Sequence, residues 1–180
     1  MIDPIVVKGT PVLRKKSKEV PHELFGTTEL KDIVRRMSAS LRATEHGVAI
    51  AAPQIGIPYR LFVVRGFVIA EKLREDKDAD KEKDLPFVNP KIVKRSRKKE
   101  LVEEACLSVP GHAGIIKRSL QASVRAYGLE GTRFERGASG LLAQIFQHEC
   151  DHLDGILYVD KADKVFEVKP KAHDEKEQKA

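Results

Sequence analysis

The sequence predicts an α+β fold, with short antiparallel strands packed around a central helix and a second helix nearer the N-terminus. Three observations point there. In "TTELKDIVRRMSASLRATEHG", Leu30, Ile33, Val34, Met37 and Leu41 recur at helical spacing. In "SGLLAQIFQHECDHLDG", apolar residues again form a helical stripe. Between the two, Leu120 to Glu135 alternates in strand fashion and is broken by a "GLEG" turn. A chain of 180 residues can bury a core without disulfide or metal staples, so residues 1–180 are expected to form a single domain.

In chain order, Thr27 or Thr28 is expected to cap the first helix, and Gly47 suits a left-handed exit. A strand is expected at Tyr59 to Val64. The stretch from Glu71 to Asp84 is almost wholly charged and has little to bury, which predicts a solvated loop. "LPFVNPKIVKRS" and "ELVEEACLSVPG" look like strands separated by a basic run. The second helix should start at Ser139 and leave through Gly155. The tail, 161–180, is polar and is expected to be only partly ordered.

Composition narrows the function classes. Hydrophobic residues make up 41% of the chain, yet no apolar run approaches the roughly 20 residues of a membrane span. The N-terminus carries an acid at once and lacks a secretion h-region, so no membrane partner and a cytoplasmic location are expected. Two cysteines, Cys106 and Cys150, are too few for a disulfide framework, so each thiol needs its own explanation. The net charge of +6 is concentrated in "KIVKRSRKKE", from Lys91 to Lys99. A basic run can meet a polyanion, but without interleaved aromatics to stack bases it reads first as a solvated hairpin or edge strand.

The second helix carries the chemistry. At about 100° per residue, Leu141, Ile145, His148 and His152 fall within about 60° of one another. Histidines at i and i+4 can hold one metal ion, and a glutamate directly after the first, Glu149, can act as base towards a water held there. Two histidines do not close a site. Cys150 projects from the opposite side of the helix and reads as a buried, inert thiol. Asp151 lies on a flank better suited to an ion pair. Cys106, at a strand end before a Ser-Val-Pro-Gly turn, reads by itself as either a structural thiol or a ligand.

"GVAIAAPQIG", "EEACLSVP" and "QHECDHLDG" occur in this order, and together they resemble the motifs of the peptide deformylase family. The resemblance runs from Arg14-Lys15 to about Asp160. It implies a hydrolase that removes the N-formyl group from the initiator methionine of nascent polypeptides. Cys106, His148 and His152 would hold one divalent metal, Fe²⁺ in the cell, with Zn²⁺, Ni²⁺ or Co²⁺ able to substitute. Metal-bound water would attack the formyl carbon, with Glu149 as general base and acid, and Gln54 and the backbone N–H of Leu107 would face the oxyanion. The substrate would run as a strand beside Val48 and Ala49, near Ala105, with Val48, Val102, Leu141 and Ile145 lining a methionine pocket. Glu104 would orient a ligand histidine, and Asp151 would pair with Arg118. Partners would be N-formylmethionyl nascent peptides and, through the basic surface, the ribosome, with no specific nucleic-acid sequence.

Three positions depart from the family pattern. Ala49 and Ala105 stand where glycines are usual, and Ala113 stands where many relatives carry a basic side chain. Two other readings compete. A zinc endopeptidase built on H-E-x-x-H would need Asp154 or Asp160 as third ligand. A non-catalytic nucleic-acid module would leave the His-Glu-His face without a purpose.

Overall fold

The computed structural model describes residues 2–73 and 83–168. Among the described residues, three α-helices, α1 (Thr28–Arg42), α2 (Gly66–Leu73) and α3 (Gly140–Leu153), accompany eight strands. Strands β1 (Ala49–Ala51), β2 (Leu61–Val64), β3 (Leu85–Arg95), β6 (Gln121–Tyr127) and β7 (Arg133–Ser139) form one antiparallel sheet in the order β1-β2-β3-β6-β7. Strands β4 (Lys99–Ala105), β5 (His112–Ser119) and β8 (Lys164–Glu167) form a second, ordered β4-β5-β8. This is the expected α+β class with antiparallel pairing. Among the described residues, no helix is long and apolar enough to cross a membrane.

The larger sheet separates two cores because successive strand residues face opposite ways. Ile50, Leu61, Val63 and Val88 join Leu30, Ile33, Val34, Met37 and Leu41 of α1. Their neighbours Ala49, Ala51, Phe62, Val64 and Phe87, together with Val124 of β6, join Leu142, Ile145, Phe146 and Leu153 of α3. Phe62 stacks on Phe87 at 4.6 Å between centroids, and Phe146 meets Phe87 edge-on at 5.2 Å, which fixes α3 against the sheet.

Thr27 caps α1 by accepting from the Leu30 N–H at 3.3 Å. The helix stops at Arg42, five residues before the expected exit. Thr44 Oγ1 donates to the Leu41 carbonyl at 2.6 Å, so the turn closes on a side chain. Gly47 serves close packing instead, since a Cβ there would lie 2.2 Å from Thr44 Oγ1 and 2.8 Å from the Leu41 side chain. Gly155 does take the left-handed conformation after α3, at φ +77°.

The structure bears on three further expectations. The charged stretch expected as a loop from Glu71 begins inside α2, which runs to Leu73, while 74–82 lie outside the described residues. Asp84, its last residue, pairs with Arg42 at 2.8 Å. In the tail, Lys164–Glu167 is strand β8, paired with β5, and 169–180 lie outside the described residues. The basic run does not form a hairpin, because β3 pairs with β6 and β4 pairs with β5, so the chain passes from one sheet to the other at Ser96–Lys98.

Candidate metal centre

Helix α3 sets His148 and His152 one turn apart, with ring centroids 4.9 Å from each other. The third group arrives from the other sheet. β4 is held in register against β5, from Lys99 opposite Ser119 to Ala105 opposite Ala113, and the chain then turns with Val109 N–H donating to the Cys106 carbonyl at 2.9 Å. This brings Cys106 Sγ to 3.1 Å from His152 Nε2. One donor atom from each of Cys106, His148 and His152 lies within 4.8 Å of the others, and all three residues are buried or nearly so. Ligands at about 2.0–2.3 Å from a tetrahedral ion stand roughly 3.5 Å apart, so one sulfur and two nitrogens at these separations fit a single cation.

Glu104, also on β4, accepts from His148 Nδ1–H at 2.8 Å, which leaves Nε2 available on the other side of the ring. Arg118 of β5 grips Glu104 through Nε at 2.7 Å and Nη2 at 2.8 Å, and reaches Asp151 of α3 through Nη1 at 2.6 Å. Lys161 completes the row by donating to the other Asp151 oxygen at 2.6 Å. The smaller sheet and helix α3 are thus joined by one chain of charges, buried except at Lys161. Burial alone would raise the Glu104 carboxyl, but hydrogen bonds from Arg118 and His148 outweigh it and hold the group down at about 2. Burial opposes charging of His148, whereas contacts with Cys106 and Glu104 raise it well above its ordinary value. His152 is driven well below its own by burial and by the neighbouring His148 charge.

Glu149 is 4% exposed, and burial pushes its carboxyl up to about 7 against the pull of His148. Its Oε2 and His152 Nδ1 are buried with no hydrogen-bond partner among the described residues. Unpaired buried atoms of this kind typically cost about 1–3 kcal/mol each, which ordinary core residues avoid.

Gln54 approaches from the 3-10 turn after β1. Its Oε1 accepts from Ala51 N–H at 2.8 Å, so its amide Nε2 is turned to Ser108 Oγ at 3.2 Å and Cys106 Sγ at 3.6 Å. Ser108, fully buried, is a contact that sequence reasoning missed; its place two residues after Cys106 was the available signal. Tyr158 was missed too. Its ring lies nearly parallel to His148, 6.3 Å away, and nothing in the local sequence marks it.

The remaining candidates lie as follows. Val48 packs against the α3 core, which contains Ala49 and Ile145, while Val102 packs in a separate cluster with Cys106 and Tyr158. Leu141 is 50% exposed at the start of α3, and Ala105 is exposed at the end of β4. Leu107 packs against the α1 core. Asn89 is the sole non-glycine residue with positive φ among the described residues, so Ala49 and Ala105 occupy their strands without left-handed strain, and Ala113 is buried in β5. Cys150 is buried, and burial pushes its thiol up to about 12. Asp154 pairs with Arg60 at 2.7 Å, and Asp160 pairs with Arg14, so neither acid is turned to the histidines.

The profile described as polypeptide deformylase matches residues 2–167. Among curated relatives, peptide deformylase 1A (chloroplastic/mitochondrial) of Arabidopsis thaliana is 41% identical over 87% of the chain. The chain spans 60% of the length of that plant protein. Peptide deformylase of Desulforudis audaxviator is 37% identical, with 92% of this chain and 96% of the relative covered. Among solved structures, a class I type b peptide deformylase of Acinetobacter baumannii bound to Met-Ala-Ser superimposes with a TM-score of 0.77 at 30% identity, covering 89% of this chain and 99% of that one.

Proposed function

The chain belongs to the polypeptide deformylase family, and on that premise we propose that it removes the formyl group from N-formylmethionyl nascent peptides, releasing formate and a free α-amine. The carrying observation is the convergence of Cys106, His148 and His152 beside a buried Glu149 with an unpartnered oxygen. Cys106 Sγ, one His148 nitrogen and His152 Nε2 would hold a divalent cation, with Fe²⁺ as the resident ion and Zn²⁺, Ni²⁺ or Co²⁺ accepted by the same mixed donors. Such a cation supplies a Lewis acid that polarises the formyl carbonyl and acidifies water at neutral pH.

The protein's own groups would do the rest. Glu149, with its carboxyl raised to about 7, is poised to take a proton from the attacking water and return it to the departing amine. Returning that proton matters because an amide anion is a prohibitive leaving group. As the planar formyl carbon becomes tetrahedral, charge gathers on its oxygen. Gln54 Nε2, turned into the site by the Ala51 contact, and the Leu107 N–H would donate to that oxygen more strongly than to the ground state. β1 is the edge strand of its sheet, so the peptide backbone could be received alongside it, with Val48 and Ile145 against the methionine side chain and Val102, Leu141, Ala49 and Ala105 around it. The Met-Ala-Ser peptide bound by the Acinetobacter relative supports that choice of substrate. Ribosome contact through the basic surface and a cytoplasmic location belong to the same reading.

The test is an anaerobic assay of formate release from formyl-Met-Ala-Ser by ferrous-loaded protein, with Glu149→Ala and an unformylated internal peptide as controls. Formate release abolished in Glu149→Ala supports the reading. Cleavage of the internal peptide with the formyl group left intact would establish an endopeptidase instead. That alternative is disfavoured because Asp154 and Asp160 are engaged by Arg60 and Arg14.

A further inference from the structure

On the face of the larger sheet away from α3, the strands leave a hollow of about 500 Å³ with no metal-centre residue in its walls. Helix α1 packs on β1 and β2, so the outer parts of β3, β6 and β7 on that side are not covered by it. Cross-strand register puts Lys91 opposite Arg125 and Tyr127 opposite Arg133, and residues directly opposite share a face. Ile92 and Val124, one position along, point the other way into the core under α3. The 3-10 turn His22–Leu24 and the following Phe25 form the opposing wall. Phe25 meets Tyr127 edge-on at 5.7 Å; both rings are half-buried, whereas Lys91, Arg125 and Arg133 are exposed. The hollow therefore has an aromatic interior and a cationic rim.

We propose that this hollow binds single-stranded RNA, one base seated against Phe25 and Tyr127 and the flanking phosphates on Lys91, Arg125 and Arg133. Aromatic rings beneath and cations around are the combination that holds a strand without reading its sequence, because every base has a π-face and every link a charge. The basic run by itself lacks aromatics; the fold supplies them from two other parts of the chain. Glu19 and Glu135 pair with Lys91 at 3.1 Å and Arg125 at 3.2 Å, but these are exposed pairs, weak enough for a phosphate to displace. A lipid surface fits less well, since a flat bilayer would reach the rim and not the aromatic interior. Choosing RNA over DNA rests on the deformylation reading, because nascent chains emerge among RNA.

The experiment is fluorescence anisotropy of a labelled oligo(U) 12-mer with the full chain, in parallel with oligo(dT) and with phosphatidylglycerol vesicles. With three phosphates engaged, affinity should fall roughly 20-fold between 50 and 200 mM salt. Tyr127→Leu should weaken binding about tenfold at constant charge. Lys91→Glu and Arg133→Glu should weaken it at least as much, while Lys117→Glu, an equal charge change on the smaller sheet, should not. Deformylation by these variants should be unchanged, so failure of RNA binding and failure of the enzymatic reading are separate results. The proposal is overturned if oligo(U) does not bind, if Tyr127→Leu binds as well as wild type, if Lys117→Glu is as damaging as Arg133→Glu, or if oligo(dT) or vesicles are preferred.

Discussion

Glu104 Oε2 lies 2.8 Å from His148 Nδ1, and the same carboxylate is held by Nε and Nη2 along one edge of the Arg118 guanidinium. A carboxylate only accepts, so it fixes the His148 tautomer and turns Nε2 towards Cys106 and His152. Glu104→Gln should lower metal affinity by about 10- to 100-fold, read by competition with a chelator. Unchanged affinity would mean that the ring is held by packing alone.

The same residue predicts a pH dependence of stability. Its folded carboxyl sits at about 2, below its ordinary value of 4.5, so the folded state favours the ionised form. That contribution, on the order of 3 kcal/mol, is complete above pH 4.5 and is lost as pH falls towards 2. Denaturant titrations of wild type and Glu104→Gln should therefore differ most at neutral pH and converge in acid. Curves that stay parallel down to pH 2 would assign the stabilisation to other groups.

Gln54 should affect the chemistry and not the binding of metal. Gln54→Leu keeps the volume but removes the Nε2 donor, and should lower kcat by about 100-fold or more with metal content unchanged. It also strips the Ala51 N–H of its acceptor, for a stability loss of about 1 kcal/mol. A rise in KM at constant kcat would place Gln54 in ground-state binding.

The two thiols should behave differently. Cys150, whose thiol is pushed up to about 12, should resist disulfide reagents at pH 8 until the protein unfolds. Cys106 should react in the metal-free protein and be protected by an added divalent cation. Protection of neither thiol, or equal reaction of both, would remove Cys106 from the proposed ligand set. The ferrous-loaded protein should lose activity in air, because a thiolate beside Fe²⁺ is open to oxidation.

Gly155 joins α3 to the N-terminal segment. At φ +77°, a Cβ would also stand 2.8 Å from the Arg14 carbonyl oxygen. Gly155→Ala should cost about 1–2 kcal/mol from conformation alone, and more from the backbone shift. For a chain of this size each kcal/mol corresponds to about 2–4 °C in Tm, so a differential-scanning measurement should resolve it. A change below 1 °C would show that the segment around Arg14 gives way freely.

What the sequence determined is what local periodicity carries. Leu141, Ile145, His148 and His152 share a stripe because a helix returns about every 3.6 residues, and Gly155 marks the exit because few other residues tolerate positive φ. Those constraints act within a few residues and are written in order along the chain. The tertiary structure decided which distant pieces meet. Cys106 Sγ reaches His152 Nε2 across 46 residues through the β4–β5 register, and Arg118 ties β4 to α3. Whether "KIVKRSRKKE" makes a hairpin or crosses between sheets, and whether Phe25 meets Tyr127, likewise depended on strand pairing. Backbone hydrogen bonds between strands are chemically alike at every position, so partner and register are set by the packing of the whole sheet and not by any one segment.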